Sequence, residues 1–241
     1  MISRRTSQAA AWEHVLRESS WYTGLGADVQ GRLMTLASVA TYRPGHYLFR
    51  RGEPPCGIYA VVQGIVHVYG SATHAGVEPL MVRMQPGTWL GEVAALDGLP
   101  RCSSAVASGE VRALHVAQNQ LDTLLVDCPR FLRDLGRLMA SKLRAALGIV
   151  EDVHLPLRQR LARRLLSFAR AHEGSPRAEH LRIKVAQDKL ASLLMCTRTS
   201  INRTIGELVE EGTLATARGE IVIVDLDALR SIADFRMDDV Q

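Results

Sequence analysis

The sequence predicts an α+β chain: an antiparallel strand domain, then one long helix, then a winged helix-turn-helix. Three observations carry this. From Thr41 to Val116 short β-branched runs alternate with turn residues. From Leu132 to Leu157 apolar residues recur with an unbroken seven-residue period. From Ala186 to Arg203 the stretch A-Q-D-K-L-A-S-L-L-M-C-T-R-T-S-I-N-R has the spacing of two short helices meeting at a sharp angle.

Residues 1–38 read as a loose helical cap. Trp12, Val15, Leu16, Leu33 and Leu36 are its apolar anchors, and Gly24 and Gly26 interrupt it. The polar start, Ser3 to Gln8, is expected to fray. Residues 39–128 form the strand domain. Its runs are Y-R-P-G-H-Y-L-F, G-I-Y-A-V-V-Q-G-I-V-H-V-Y-G, L-M-V-R-M-Q-P-G-T-W-L, S-S-A-V-A and V-R-A-L-H-V. Pro44-Gly45, Gly52-Glu53-Pro54, Gly64 and Pro86-Gly87 punctuate them. Many short strands at regular spacing imply an antiparallel sandwich, roll or barrel.

Residues 129–155 are the long helix. Leu132, Gly136, Met139, Leu143, Ala146, Val150, Val153 and Leu157 alternate steps of four and three, the signature of a coiled-coil seam. A second stripe, Phe131, Leu135 and Leu138, faces elsewhere. A helix that is apolar on two sides must pack on two partners. One is the strand domain. The other is the same helix of a second subunit, which makes Leu132, Gly136, Met139, Leu143, Ala146, Val150 and Val153 a dimer interface. A helix buried within a monomer is the alternative.

Residues 156–241 open at Pro156 with an arginine-rich helix from Leu157 to about Ala171, which ends at the turn Glu173-Gly174-Ser175-Pro176. In the helix-turn-helix, Leu190, Leu193, Leu194 and Ile201 lock two helices together, with Ala191 where the backbones approach. Arg198, Thr199, Asn202 and Arg203 share the outward face of the second helix, which in this motif enters the DNA major groove. G-T-L-A-T-A-R-G-E-I-V-I-V reads as a two-stranded wing turning near Arg218-Gly219, and Asp225 caps a last helix through Leu229 and Ile232.

Composition agrees. The chain has 241 residues, 47% hydrophobic and 22% charged, with a formal net charge of +4. The charge is concentrated: from Pro156 to Thr204 eleven basic residues face three acidic ones. That local excess suits phosphate neutralisation, or simply a solvated arginine-rich helix. Cys56, Cys102, Cys128 and Cys196 are scattered, so neither a zinc site nor a disulfide framework is expected. No transmembrane run or secretory leader is read, which predicts a cytoplasmic protein with no membrane partner. An enzymatic role is not expected. The histidines lack ligand spacing for a small-barrel metalloenzyme, and neither G-x-S-x-G nor a P-loop occurs. A nucleotide-binding module that docks on a kinase or channel is disfavoured by the helix-turn-helix and wing.

This order of parts resembles the cyclic-AMP receptor protein/FNR (CRP/FNR) family of bacterial transcription regulators. Three sets of residues carry the resemblance. Pro44-Gly45, Gly52-Glu53-Pro54, Ile58-Tyr59-Ala60-Val61, Gly64 and Val66 look like the opening of a cyclic-nucleotide-binding β-roll, a double-stranded jelly roll. G-E-V-A-A-L-D-G-L-P-R-C-S-S-A-V, Gly91 to Val106, is similar to the family's phosphate-binding cassette. Cys196 to Arg203 resembles its recognition helix.

The resemblance implies a ligand site at Gly91, Glu92, Val93, Arg101, Cys102 and Ala146. Helix N–H groups after Gly91 would face an anion, Glu92 would accept from a ribose hydroxyl, and Arg101 would fork onto a cyclic phosphate. Pairing of Arg101 with Glu92 in a merely structural turn is the alternative. The resemblance also implies a DNA-reading set at Gln187, Thr197, Arg198, Thr199, Ser200, Asn202 and Arg203. The implied partners are double-stranded DNA, a second copy of the chain, RNA polymerase and a small effector, a cyclic nucleotide or related anion. An effector-independent regulator with a vestigial pocket is the competing expectation.

Departures from the family pattern bear on ligand and operator. Cys102 stands where nucleotide-binding members have Ser or Thr. Ala145-Ala146-Leu147 carries no hydroxyl where cyclic-AMP-responsive members bond adenine. Thr199 replaces the type member's Glu, Asn202 a small residue, and Met195 a common turn Gly, so the operator should differ from the type member's. The N-terminal cysteine cluster of iron–sulfur relatives is absent. His46, His67, His74 and His115 are single strand histidines, which point to core or surface roles rather than to haem.

Overall fold

The computed structural model describes residues 9–71, 78–170, 181–217 and 219–234. The expected frayed start (Ser3 to Gln8), His74, the end of the arginine-rich helix at Ala171, the turn Glu173–Pro176, Arg177 and Arg218 lie outside them. The chain divides into two compact units, 1–145 and 146–241.

In the first unit three short helices, α1 (Glu13–Leu16), α2 (Ser20–Thr23) and α3 (Ala27–Leu36), precede the strands. These are β1 (Ser38–Tyr42), β2 (Tyr47–Phe49), β3 (Gly57–Gln63), β4 (Val66–Tyr69), β5 (Leu80–Met84), β6 (Trp89–Leu90), β7 (Ser104–Ala107) and β8 (Val111–Ala117), with the short helix α4 (Glu92–Asp97) after β6. Two four-stranded antiparallel sheets result, in the orders β1-β8-β3-β6 and β2-β7-β4-β5. Helix α5 (Gln118–Asp127) follows, and then α6 (Arg130–Asp152), whose last seven residues, from Ala146, belong to the second unit.

Strand β3 shows why this region is a roll with a helical layer. Six consecutive residues from Gly57 to Val62 are buried. Ile58, Ala60 and Val62 join the core that includes Leu16, Tyr22, Leu33, Phe131 and Leu135. Tyr59 and Val61 point the other way, into the core between the sheets with Phe49, Val66 and Ala105. Period-two alternation therefore feeds two cores from one strand. The helical cap is a packed layer rather than a loose one. Trp21 Nε1 donates to Asp134 O of α6 at 2.6 Å, and the Trp21 ring meets Trp89 edge-on at 5.1 Å.

Helix α6 has the two faces expected. Phe131, Leu135 and Leu138 are buried, whereas Leu132, Leu143 and Val150 are 56%, 61% and 61% exposed. The seam therefore does not lie in the interior of one chain. It is also shorter than the heptad suggests. The helix stops at Asp152, and Val153 and His154 close three-residue turns onto Val150 O and Glu151 O. Val153 thus lies just past the helix end, and Leu157 starts another helix. The cause is Pro156, which has no N–H and disfavours helix in the residue before it.

The second unit comprises α7 (Leu157–Arg170), β9 (Leu181–Lys184), α8 (Gln187–Leu193), α9 (Arg198–Glu210), β10 (Leu214–Ala217), β11 (Glu220–Ile223) and α10 (Leu226–Asp234). The expected two-stranded wing has a third strand, in the order β10-β11-β9, because L-R-I-K pairs with β11. Asp225 Oδ1 accepts from Ala228 N at 2.8 Å, the cap expected for α10. Among the described residues no helix is long and apolar enough to cross a membrane, and no histidine, cysteine and carboxylate cluster could hold a metal.

Candidate nucleic-acid interface and ligand cavity

Helices α8 and α9 meet through Leu190, Leu193, Leu194 and Ile201, all buried, with Ala191 between them. Cys196 N donates to Ala191 O at 3.0 Å and closes the turn. Met195 sits in that turn at φ 51°, the one non-glycine residue with positive φ among the described residues. An L-residue there meets its own carbonyl, so this turn is strained where glycine would not be.

On α9, Ile201, Thr204, Ile205 and Leu208 are buried, while Arg198, Thr199, Asn202 and Arg203 are exposed. The structure therefore brings these four to one outward face. Arg203 reaches Glu207 at 3.7 Å, an exposed pair of little weight. Thr197 and Ser200, also expected in the DNA-reading set, have a local task. Thr197 Oγ1 accepts from Ser200 N at 3.1 Å and lies 2.9 Å from Ser200 Oγ, so the pair caps α9. Gln187 opens α8 and is half-buried. Burial pushes the Cys196 thiol up, against the pull of Arg160.

The arginine-rich helix is not simply a phosphate-facing surface. Arg158 makes a two-pronged contact with Glu211, 2.5 Å on each side, which raises the guanidinium's pKa and depresses the carboxyl's. Arg160 Nη1 donates to Leu194 O at 2.9 Å. Arg163 joins Ala233 O and Asp152 at 2.9 and 2.6 Å. Burial pulls Arg164 down, opposed by Asp152. Much of α7's positive charge thus ties the unit together, which sequence counting does not reveal.

In the first unit a cavity of about 130 Å³ is lined by Phe49, Val68, Met84, Leu90, Gly91, Glu92, Val93, Ala94, Arg101, Cys102, Ser103 and Lys142. Five of the expected ligand residues meet here. Gly91 takes φ 97°, and a Cβ on it would lie 2.8 Å from Gly57 O and 3.0 Å from Arg101 Nη1, so only glycine lets α4 start at this spot. Ala146 is exposed and is not in the lining. The α6 residue that is there is Lys142, one turn earlier, which the sequence reading missed.

Arg101 is 3% exposed. Its Nη1 donates to Gly91 O at 2.7 Å, and its Nη2 donates to Gly57 O at 2.7 Å and to Cys56 Sγ at 3.1 Å. The guanidinium lies 4.4 Å from the Phe49 ring centroid. Its fork is therefore engaged by the protein's own carbonyls. Nor does Arg101 pair with Glu92. That carboxylate accepts from Lys142 Nζ at 2.7 Å, and the same ammonium donates to Trp89 O at 2.7 Å. The expectation of an Arg101–Glu92 pair fails because Lys142 of α6 takes the carboxylate while backbone carbonyls take the guanidinium. His115 Nε2 lies 2.8 Å from Cys56 O and its ring stacks on Tyr59 at 4.3 Å, a packing role.

A ligand-sized cavity in a β-roll and a winged helix-turn-helix with an exposed basic helix face define a DNA-binding transcription regulator. Residues 39–128 match the family model of the cyclic nucleotide-binding domain, and residues 159–232 that of the Crp-like helix-turn-helix domain. The chain is 26% identical over 220 residues to the CRP-like cAMP-activated global transcriptional regulator of Mycobacterium tuberculosis, spanning 90% of this chain and 97% of that one. It is 28% identical over 180 residues to the transcriptional regulator SdrP of Thermus thermophilus, 74% of this chain and 84% of that. A solved CRP/FNR-family transcriptional regulator from Thermus thermophilus superposes with a TM-score of 0.68 at 25% identity, covering 83% of this chain and all of that one. The chain belongs to the CRP/FNR family of transcription regulators, which are not enzymes.

Proposed function

We propose that two copies of this chain pair along α6 and read a near-palindromic DNA operator under control of a small anionic effector in the roll. The carrying observation is the two-faced helix. Phe131, Leu135 and Leu138 are consumed by the chain's own core, while Leu132, Leu143 and Val150 stay exposed at heptad spacing. A row of exposed leucine and valine on a folded chain calls for a partner, and a self-complementary seam fits a two-fold one. Gly136, Met139 and Ala146 complete it, and Val153 adds to it from the turn just past the helix end.

Arg198 and Arg203 are assigned to guanine and Asn202 to adenine, with Thr199 beside them. Thr197 and Ser200 hold the first turn of α9, and Gln187 flanks it. Two-fold symmetry places two such helices about 34 Å apart, one turn of DNA. The stretch from Val153 to Pro156 is the hinge whose setting the effector biases, by its differential affinity for the two arrangements. RNA polymerase is the onward partner, and the cytoplasm the location.

Selection of duplexes from a random pool tests the reading. It predicts inverted half-sites centred about 10 base pairs apart. Recovery of no shared sequence, or of a single unrepeated half-site, rejects it. An effector-independent regulator is the second reading, favoured by the Lys142–Glu92 pair that already fills the carboxylate's demand. A ligand-dependent shift in operator affinity decides between the two.

A further inference from the structure

We infer that the roll's cavity takes a small amphipathic monoanion, a single-ring or short-chain carboxylate, in preference to a cyclic nucleotide. This rests on reading the cavity as the effector site. Charge comes first. Arg101 and Lys142 against Glu92 leave the lining with one net positive charge, which one ligand anion neutralises.

Uncommitted hydrogen-bonding groups come next. Lys142 has three N–H donors, of which Trp89 O and Glu92 take two. The third is a spare donor, and a carboxylate has only acceptors to offer. A ribose has hydroxyls that need acceptors as well. The carboxylate that would serve them, Glu92, has a side chain only 4% exposed and is held by Lys142 at 2.7 Å. Opening that pair for a neutral hydroxyl strands the ammonium, which costs more than it returns.

Size and walls agree. The cavity is about 130 Å³, close to the roughly 150 Å³ apolar cavity that accepts one benzene ring and below the roughly 300–1,000 Å³ of sites for larger ligands. Phe49, Val68, Met84 and Leu90 supply apolar wall around the two cations. An apolar body carrying one carboxylate matches both surfaces.

The test is calorimetric titration of the full-length protein with sodium benzoate, sodium hexanoate, benzamide and cyclic AMP, with thermal midpoints in parallel. At least one acid should bind about tenfold to a hundredfold tighter than uncharged benzamide, the worth of a charge-assisted hydrogen bond, and tighter than cyclic AMP. Lys142→Met should lose the acid by a similar factor, because the lining is then neutral overall. The double variant Glu92→Gln/Lys142→Met restores the net charge without a buried lone carboxylate and should regain most of the binding. Tighter binding of cyclic AMP, no binding of either acid, or a double variant as weak as the single one overturns the inference. Operator binding is scored separately, with and without each ligand. Operator binding under any of these conditions while both acids fail overturns the ligand class alone, and its absence under every condition counts against the regulatory reading instead.

Discussion

Replacing Leu143 with Ala isolates the pairing surface from the fold. Leu143 is 61% exposed in the single chain, so its side chain contributes little to the folded subunit and most of its surface awaits burial in the dimer. Full burial of a leucine side chain is worth about 1.5–3 kcal/mol, so the exposed fraction amounts to about 1–2 kcal/mol per subunit. Two-fold symmetry removes it twice, which gives about 2–4 kcal/mol per dimer, a dimer dissociation constant raised about 30- to 1,000-fold. Sedimentation equilibrium over a wide concentration range reads this directly. Circular dichroism of the monomeric fraction should match the parent, since no buried contact is removed. A dissociation constant within about threefold of the parent, far below the change worked from the buried area, would refute the assignment of the seam.

Arg198→Ala should cost about 1–3 kcal/mol on the selected operator and relax one base position. Anisotropy titrations on operator and random duplex distinguish this from phosphate contact, which would weaken both equally. Met195→Gly should relieve the left-handed strain at φ 51°. The relief is worth about 1–2 kcal/mol less the roughly 0.5–1 kcal/mol of added glycine entropy, so the urea midpoint of the second unit should rise slightly. A lowered midpoint contradicts a strained turn. The Arg158–Glu211 pair makes the second unit acid-sensitive. Arg158 holds the Glu211 carboxyl below its ordinary 4.5, so the stability it lends is complete above that value and is lost as pH falls through the depressed one. Glu211→Gln should flatten the acid limb of a stability–pH profile, and an unchanged slope argues against the pair.

How far the sequence reveals the molecule depends on the range of each interaction. The buried stripe Phe131, Leu135, Leu138 and the exposed seam beside it were legible because helical period alone separates them. The Asp225 cap and the core positions Leu190 and Ile201 were legible for the same local reason. The end of α6 was not, because the heptad continues to Leu157 although Pro156 has already stopped the helix. Strand β9 was missed because four residues, L-R-I-K, are too few to show a period, and only pairing with β11 makes them a strand. The cavity was half-legible. The cassette residues Gly91, Glu92 and Arg101 are contiguous enough to recognise, but Lys142 meets Glu92 across 50 positions and nothing in the local pattern announces it. Likewise Arg158 and Glu211 lie 53 positions apart, so a guanidinium that braces the fold looks in the sequence like one waiting for phosphate.

The central claim, a symmetric pair of chains reading one duplex, is tested most directly by stoichiometry. Sedimentation velocity of the protein with a labelled duplex from the selection should give two chains per duplex. A duplex carrying one half-site should bind far more weakly. One chain per duplex, with equal affinity for half-site and full site, would contradict it.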